Sequence, residues 1–271
     1  MKKLLLIFFV SVLFINCSTK QNKPEVETET EKTLFIEWFG ENEKANDMIW
    51  IGMNHFNNIE FEKSFVFFER AIALDSTLFA PHVMLTSFSL PNSEEQEYHY
   101  NKAIELVSNK NVNSKLFVSL LDTKNKYSKR HILGSDNNKY EKWTKMHDNE
   151  PKGSFIKFWA TRGIKDLKER EQALLELVEE FKGNKTDHGP VLNTLGYYYS
   201  QNGDPEKAKS YFEEYIKVRS DGYNAYDSMG EYYFNLKDYE KSLEYYMMAL
   251  SKYPPANSAQ NKIREINSIK K

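Results

Sequence analysis

A repeat near the C-terminus constrains this chain more than any other feature of its sequence. The segment that starts at Gly189 aligns without gaps on the segment that starts at Tyr223, so that Gly196 matches Gly230. A fixed period of about 34 residues indicates supersecondary units that stack on one another, because a single unit is too small to bury its own hydrophobic face.

Each unit is predicted to contain two helices. In the first unit, Leu192, Leu195 and Tyr199 share one helical face. Asp204 then supplies an N-cap, and Pro205 takes the first position of a second helix. A short turn therefore joins the two helices of a pair.

A third copy lies upstream and shows the same spacing of small residues. Gly52 and Ala71 are 19 positions apart, as are Gly230 and Ala249. We expect small residues at these positions because they allow the paired helices to approach closely. The expected packing residues are Gly52, Ala71, Gly196, Ala208, Gly230 and Ala249.

These units resemble the tetratricopeptide repeat, in which an apolar residue, Leu-Gly, Tyr, Ala, an aromatic residue, Ala and Pro recur at fixed positions. Leu195-Gly196, Tyr199 and Ala208 match the pattern, and Pro254 matches it in the second copy, whereas Tyr215 replaces the second alanine. The residue pattern of the repeats also resembles that of repeat proteins common in Bacteroidetes.

The resemblance implies an all-α fold, a right-handed superhelical solenoid of about six helix pairs with a C-terminal capping helix. Three longer, degenerate pairs are expected in the middle, because the interval from Gly52 to Gly230 fits five steps of about 36 residues each. Leu34, Phe35, Ile36 and Trp38 are expected to cover the opposite end. The predicted helical domain is 34–271, with repeats at about 45–78, 79–110, 111–150, 152–187, 189–222 and 223–256 and a capping helix at 257–270.

The N-terminus has the pattern of a secretion signal, which we assign to residues 1–16, followed by a disordered tether at 17–33. An apolar run at 4–15 follows Lys2 and Lys3, and it is too short to span a bilayer. Cys17, the one cysteine, comes directly afterwards, and this arrangement resembles a bacterial lipoprotein signal. The resemblance implies a lipid with acyl chains such as palmitate on Cys17. Asn16 departs from the small residue usual before that cysteine, and an ordinary secretory signal with an incidental cysteine is the alternative.

The residues behind Cys17 favour one side of the membrane. In some Gram-negative lipoproteins, acidic residues close behind the cysteine signal export to the cell surface. Here Lys20 and Lys23 come first, and the acidic residues begin at Glu25. We therefore expect an outer-membrane lipoprotein that faces the periplasm.

Composition and motifs argue against several function classes. The chain has 37 basic and 39 acidic residues, and this balance argues against nucleic-acid binding, which needs a basic surface. The sequence contains no HExxH, no G-x-S-x-G and no glycine-rich phosphate loop, so we assign no catalytic residue, metal or cofactor. His55 falls on the aromatic position of the repeat, which favours a packing role over metal ligation.

One segment is strongly basic. Residues 109–165 contain 13 lysines and arginines against five acidic residues, a net charge of +8. The segment is either a surface for an anionic partner, such as lipid headgroups, polysaccharide or an acidic protein, or a solvated face of two degenerate repeats.

Stacked helix pairs expose a concave groove lined by the first helix of each pair, and the family resemblance implies a peptide or protein ligand there. The matching residues are Asn193, Tyr197, Gln201, Asn224, Asp227, Glu231 and Asn235. The repeat register requires none of them for the core between helices. The amides suit a peptide backbone, and the acids favour a basic group or an N-terminus. We expect a non-enzymatic scaffold; the alternatives are glycan or nutrient capture and an accessory role in outer-membrane assembly.

Overall fold

The computed structural model describes residues 34–121 and 138–270, and the regular structure in these ranges is helical, without strands. The prediction of an all-α helical repeat fold is confirmed. In chain order the helices are α1 (Glu43–Asn57), α2 (Phe61–Leu74), α3 (Phe79–Phe88), α4 (Glu94–Leu106), α5 (Val112–Val118), α6 (Lys139–Asn149), α7 (Ser154–Ala160), α8 (Leu167–Gly183), α9 (Gly189–Gln201), α10 (Pro205–Val218), α11 (Tyr223–Asn235), α12 (Tyr239–Lys252) and α13 (Asn257–Ile269).

Helices that follow one another in the chain pack together. Helix α1 packs on α2, α3 on α4, α9 on α10 and α11 on α12, while α13 packs against α11 and α12. A 3-10 turn at Thr161–Gly163 follows α7. Because short turns join the two helices of a pair, the members of each of these pairs run antiparallel.

The two C-terminal pairs approach most closely at glycine. A Cβ on Gly196 would lie 2.5 Å from Cε1 of Phe212, and a Cβ on Gly230 would lie 2.9 Å from Cδ1 of Tyr246. The corresponding closest distance at Gly52 is 3.1 Å. Larger side chains at Gly196 and Gly230 would therefore displace an aromatic ring of the partner helix. The alanines expected to pack in these pairs are fully buried, at Ala71, Ala208 and Ala249.

The turns inside the two C-terminal pairs have the same geometry. Asp204 accepts a hydrogen bond from the third helical N–H of α10, and Asp238 does the same for α12. The preceding residues, Gly203 and Lys237, have φ values of 81° and 61°. The turn therefore needs the left-handed region at this position, which costs a lysine more than a glycine.

Two helices of the middle repeats end in different ways. Helix α5 ends at Val118, and Leu120 and Leu121 lie beyond this end, although both are buried. Helix α8 ends at Gly183, and the chain turns away at Lys185, which has a φ of 56°.

The N-terminal repeats close around α3, which is buried on every side from Phe79 to Ser87. Trp38, in the segment before α1, lies 4.9 Å from the ring of Phe117, and Phe56 of α1 stacks on Trp159 of α7. Ile36 is also buried. Among the described helices, none has the length and hydrophobicity to cross a membrane.

Candidate functional site

The predicted groove residues form two parallel rows on α9 and α11. Asn193, Tyr197 and Gln201 follow one another at four-residue intervals, which places them on one side of α9. The counterparts on α11 are Asp227, Glu231 and Asn235. The hydroxyl of Tyr197 donates to Oε2 of Glu231 at 2.7 Å, so that positions one repeat apart meet. We call this surface, with Asn224, the α9–α11 face.

Exposure rises along both rows. Asn193 is 2% exposed and Asp227 is 6% exposed, whereas Gln201 and Asn235 at the other end are open to solvent. Tyr197 and Glu231 are intermediate. The face therefore opens towards the C-terminal ends of α9 and α11 and closes towards their N-terminal ends.

Asn224 takes part in the helix packing, contrary to the expectation that the core between helices needs none of the groove residues. It is 5% exposed, and its amide donates to the hydroxyl of Tyr215 at 3.3 Å and to Ser228 at 3.4 Å. The hydroxyl of Tyr215 in turn donates to the backbone carbonyl of Asn58, 157 residues earlier. Asn224 thus supports a contact between the first helix pair and the last ones.

A polar network at the end of α10 fixes that contact. Arg219 reaches Oε2 of Glu60 at 3.5 Å, Oδ2 of Asp187 at 3.3 Å and Oδ1 of Asn54 at 3.0 Å. Glu60 is 1% exposed and also bonds to Nδ1 of His55 at 2.6 Å. We call this contact the polar junction. It joins the end of α1 and the α1–α2 turn (Asn54, His55, Asn58 and Glu60) to Asp187, Tyr215 and Arg219. It explains why the N-terminal ends of α9 and α11 are covered.

Helix α2 extends the junction towards α11 and the turn before α13. Glu62 accepts a hydrogen bond from the hydroxyl of Tyr223. The Nζ of Lys63 lies 5.4 Å from the ring of Tyr223 and 5.3 Å from the ring of Tyr253. The first helix pair therefore lies against successive turns of the C-terminal repeats.

The closed end of the α9–α11 face is rich in hydrogen-bond acceptors. Oδ1 of Asn193 and Oδ1 of Asp227 are buried and have no hydrogen-bond partner among the described residues. Burial raises the pKa of Asp227 to about 7; Glu231 and Glu62 act in the same direction, while a hydrogen bond from Ser258 opposes them. A donor-bearing, positively charged group is the chemistry that this end would accept.

Histidines outside the predicted site form a close pair that the sequence did not indicate. Nδ1 of His82 lies 2.8 Å from Nδ1 of His99, and both rings are buried. Burial lowers the pKa of both imidazoles to about 4, so the pair is neutral at pH 7. Their separation of 17 residues along the chain hid this contact. His55 packs on Phe67 with ring centroids 5.5 Å apart.

In the part of the chain that the structure describes, no group of three His, Cys, Asp or Glu residues is arranged to hold a metal ion. An open cleft of about 460 Å³ borders the polar junction, and its lining contains no Phe, Tyr or Trp. The lining residues are Asn54, Lys182, Lys185, Thr186, Asp187, His188, Val218 and Arg219.

Two of the predictions lie outside the described residues. These are the signal with Cys17 and its tether, and the part of the basic segment at 122–137. In the described remainder of that segment, nine lysines and arginines stand against three acidic residues.

Comparison with known families identifies the two C-terminal helix pairs. Tetratricopeptide repeat models match residues 189–221 and 225–256. No curated protein sequence matches the chain significantly.

Several solved structures are similar at low identity. A thermophilic TPR protein from Thermus thermophilus is 12% identical, with 82% of this chain and 98% of that chain covered and a TM-score of 0.41. YrrB, described as a TPR protein with an unusual peptide-binding site, is 15% identical, with 83% and 94% covered and a TM-score of 0.38. PilF from Pseudomonas aeruginosa is 14% identical, with 78% and 77% covered and a TM-score of 0.35.

Proposed function

We propose that this chain, whose last two helix pairs are tetratricopeptide repeats, is a non-enzymatic scaffold that binds a protein or peptide segment on its α9–α11 face. In the same proposal, a lipid on Cys17 holds it at the periplasmic face of the outer membrane. The scaffold needs no cofactor, because its function is to hold a partner rather than to transform a substrate.

One observation carries the binding proposal. The α9–α11 face presents exposed amides at Gln201 and Asn235, and behind them unpartnered acceptors at Asn193 and Asp227. A buried acceptor without a partner costs free energy, and a ligand donor that reaches it recovers that cost. We therefore propose a ligand segment that carries a basic side chain or a free N-terminus.

The anchoring proposal rests on the order of residues at the N-terminus. The lysines, the apolar run and the single cysteine follow one another as in a lipoprotein signal. Attachment through more than one acyl chain is stable, since each buried CH₂ contributes about 0.8 kcal/mol. The resemblance of the repeat pattern to Bacteroidetes proteins supports a double-membrane bacterium as the source in this proposal.

The binding proposal is tested by recovery of partners from intact membranes after crosslinking. Gln201→Ala with Asn235→Ala removes both exposed amides without touching the core, so we expect an unchanged unfolding midpoint and weaker partner recovery. The matched control is Glu213→Ala with Glu244→Ala, on exposed positions of α10 and α12. Full recovery with the first pair, or equal loss with both pairs, would contradict the proposal.

A further inference from the structure

The chain enters its helical domain at one end of α5 and α6. The backbone N–H of Leu34 donates to Oε2 of Glu150 at 3.0 Å, in the turn after α6. The side chain of Asn111, which caps α5, donates to the carbonyl of Phe35 at 2.7 Å. The backbone N–H of Glu37 donates to Oγ of Ser114 at 3.0 Å. Residues 34–37 are therefore held against α5 and the turn after α6.

Two exposed lysines flank this place. Lys152 lies in the turn after α6, and its backbone N–H donates to Oε1 of Glu150, the carboxylate that also binds Leu34. Lys115 lies one helical turn after Asn111 on α5. Both lysine side chains are open to solvent.

A third exposed lysine belongs to the same end of the helix pair. Lys145 lies one helical turn before Asn149 on α6. The side chain of Asn149 donates to Oδ1 of Asn113 at 2.8 Å, which joins the end of α6 to the start of α5. We call Lys115, Lys145 and Lys152 the lysine triad.

The triad keeps its charge available. Of the ion pairs between described residues, none includes Lys115, Lys145 or Lys152. Glu150 is 4% exposed and accepts backbone N–H groups, and Glu141 and Asp148 are the exposed acids nearby in the sequence. The described part of 109–165 carries six more positive than negative charges.

We propose that the lysine triad docks on an anionic phospholipid surface and orients the scaffold on its membrane. This inference rests on the proposed lipid at Cys17. The segment from Cys17 to Leu34 spans at most about 60 Å when fully extended, so the anchor holds this end of the domain near the bilayer. Each lysine close to an anionic leaflet strengthens attachment about fivefold. An acidic protein would match the charge, but only the membrane is kept close by the anchor itself.

The test follows lysine reactivity in the full lipidated chain, incorporated into phosphatidylcholine vesicles with or without about one-third phosphatidylglycerol. With phosphatidylglycerol, we expect amine labelling of Lys115, Lys145 and Lys152 to slow at least severalfold. Labelling should recover at about 0.5 M salt, where charges separated by more than a few ångströms are screened. The exposed control lysines, Lys217, Lys237 and Lys252, should react equally in both vesicles.

Two outcomes would overturn the proposal. Equal labelling of the triad in both vesicles would show that anionic lipid does not cover it. Protection by a soluble anionic polysaccharide, but not by phosphatidylglycerol, would assign the triad to a different polyanion. Mass spectrometry of Cys17 and flotation with vesicles report the anchor separately, so a missing lipid is distinguishable from a triad that does not dock.

A triple variant distinguishes docking through the lysine triad from nonspecific electrostatic binding to the vesicles. Docking on vesicles with phosphatidylglycerol should also slow amide hydrogen exchange in α5, and Lys115→Gln, Lys145→Gln and Lys152→Gln together should abolish this slowing. The matched triple Lys217→Gln, Lys237→Gln and Lys252→Gln should keep it. Identical exchange in both triples would contradict the assignment of this face.

Discussion

Tyr197 donates a hydrogen bond of 2.7 Å to Glu231, the residue one repeat further along the chain. The contact holds α9 beside α11 in register and aligns the two rows of the α9–α11 face. Burial, followed by the charge of Glu231, raises the pKa of the Tyr197 hydroxyl well above its usual value. The hydroxyl therefore stays protonated at neutral pH and donates to Glu231.

Gly230→Leu tests the close approach of α11 and α12. Because a Cβ at Gly230 already lies 2.9 Å from Tyr246, a larger side chain must displace that ring. We expect the free energy of unfolding to fall by about 1–3 kcal/mol, measured by thermal or denaturant unfolding. Glu244→Leu places the same side chain on the exposed side of α12 and should leave the midpoint nearly unchanged; equal losses would contradict the assigned packing.

Arg219→Ala tests the polar junction. The change removes the guanidinium partner of the buried Glu60, which keeps its contacts with His55 and Lys63, so we expect a loss of stability of about 1–3 kcal/mol. We expect a lower unfolding midpoint and faster hydrogen exchange in the α1–α2 turn. Lys217→Ala, two positions earlier and exposed, is the control. An unchanged exchange rate in that turn would show that Arg219 does not hold the first helix pair in place.

Asp227→Asn tests the buried acceptor through pH. The folded-state pKa of Asp227 is raised to about 7, above its unfolded value, so the folded protein holds the proton more tightly. Wild-type stability should therefore fall as pH rises from about 4 to about 7 through this group, by up to about 4 kcal/mol. The variant lacks this loss, so its stability relative to the wild type should rise between about pH 4 and pH 7. Curves of stability against pH that run parallel for the wild type and the variant would contradict the raised pKa of Asp227.

Cys17→Ala tests the anchor. Without a thiol, no diacylglycerol can attach, and we expect the protein to move from the membrane fraction to the soluble periplasmic fraction. The control is Ser18→Ala, which keeps the cysteine. A Cys17→Ala protein that stays in the membrane fraction would show that another feature holds it there.

The repeat fold could be predicted because its evidence is local and periodic. Gly196 and Gly230 mark the close approaches within helix pairs, and Asp204 marks a helix start, whatever the rest of the chain does. The polar junction could not be predicted in this way. Its partners, such as Asn58 and Tyr215, lie 157 residues apart, and their meeting depends on the curvature accumulated over all intervening repeats.

The helix register of the candidate residues could be predicted, but their exposure could not. The four-residue spacing placed Asn193 and Tyr197 on one side of α9, and the structure has them there. The burial of Asn224 and Asp227 comes from the first helix pair and α13, which a single-repeat pattern does not contain. The pairing of His82 with His99 was not predicted either. It joins α3 to α4 in a degenerate repeat, whose residues do not follow a recognisable repeat pattern.

The most direct measurement of the binding proposal is site-specific photocrosslinking in intact cells. A photoreactive residue at Gln201 or at Asn235 probes the open end of the α9–α11 face, while Glu213 and Glu244 probe the opposite surface. We predict that both first positions capture the same partner and that Asp227→Asn weakens this capture. Capture of that partner only from Glu213 and Glu244, or undiminished capture in Asp227→Asn, would contradict the proposal.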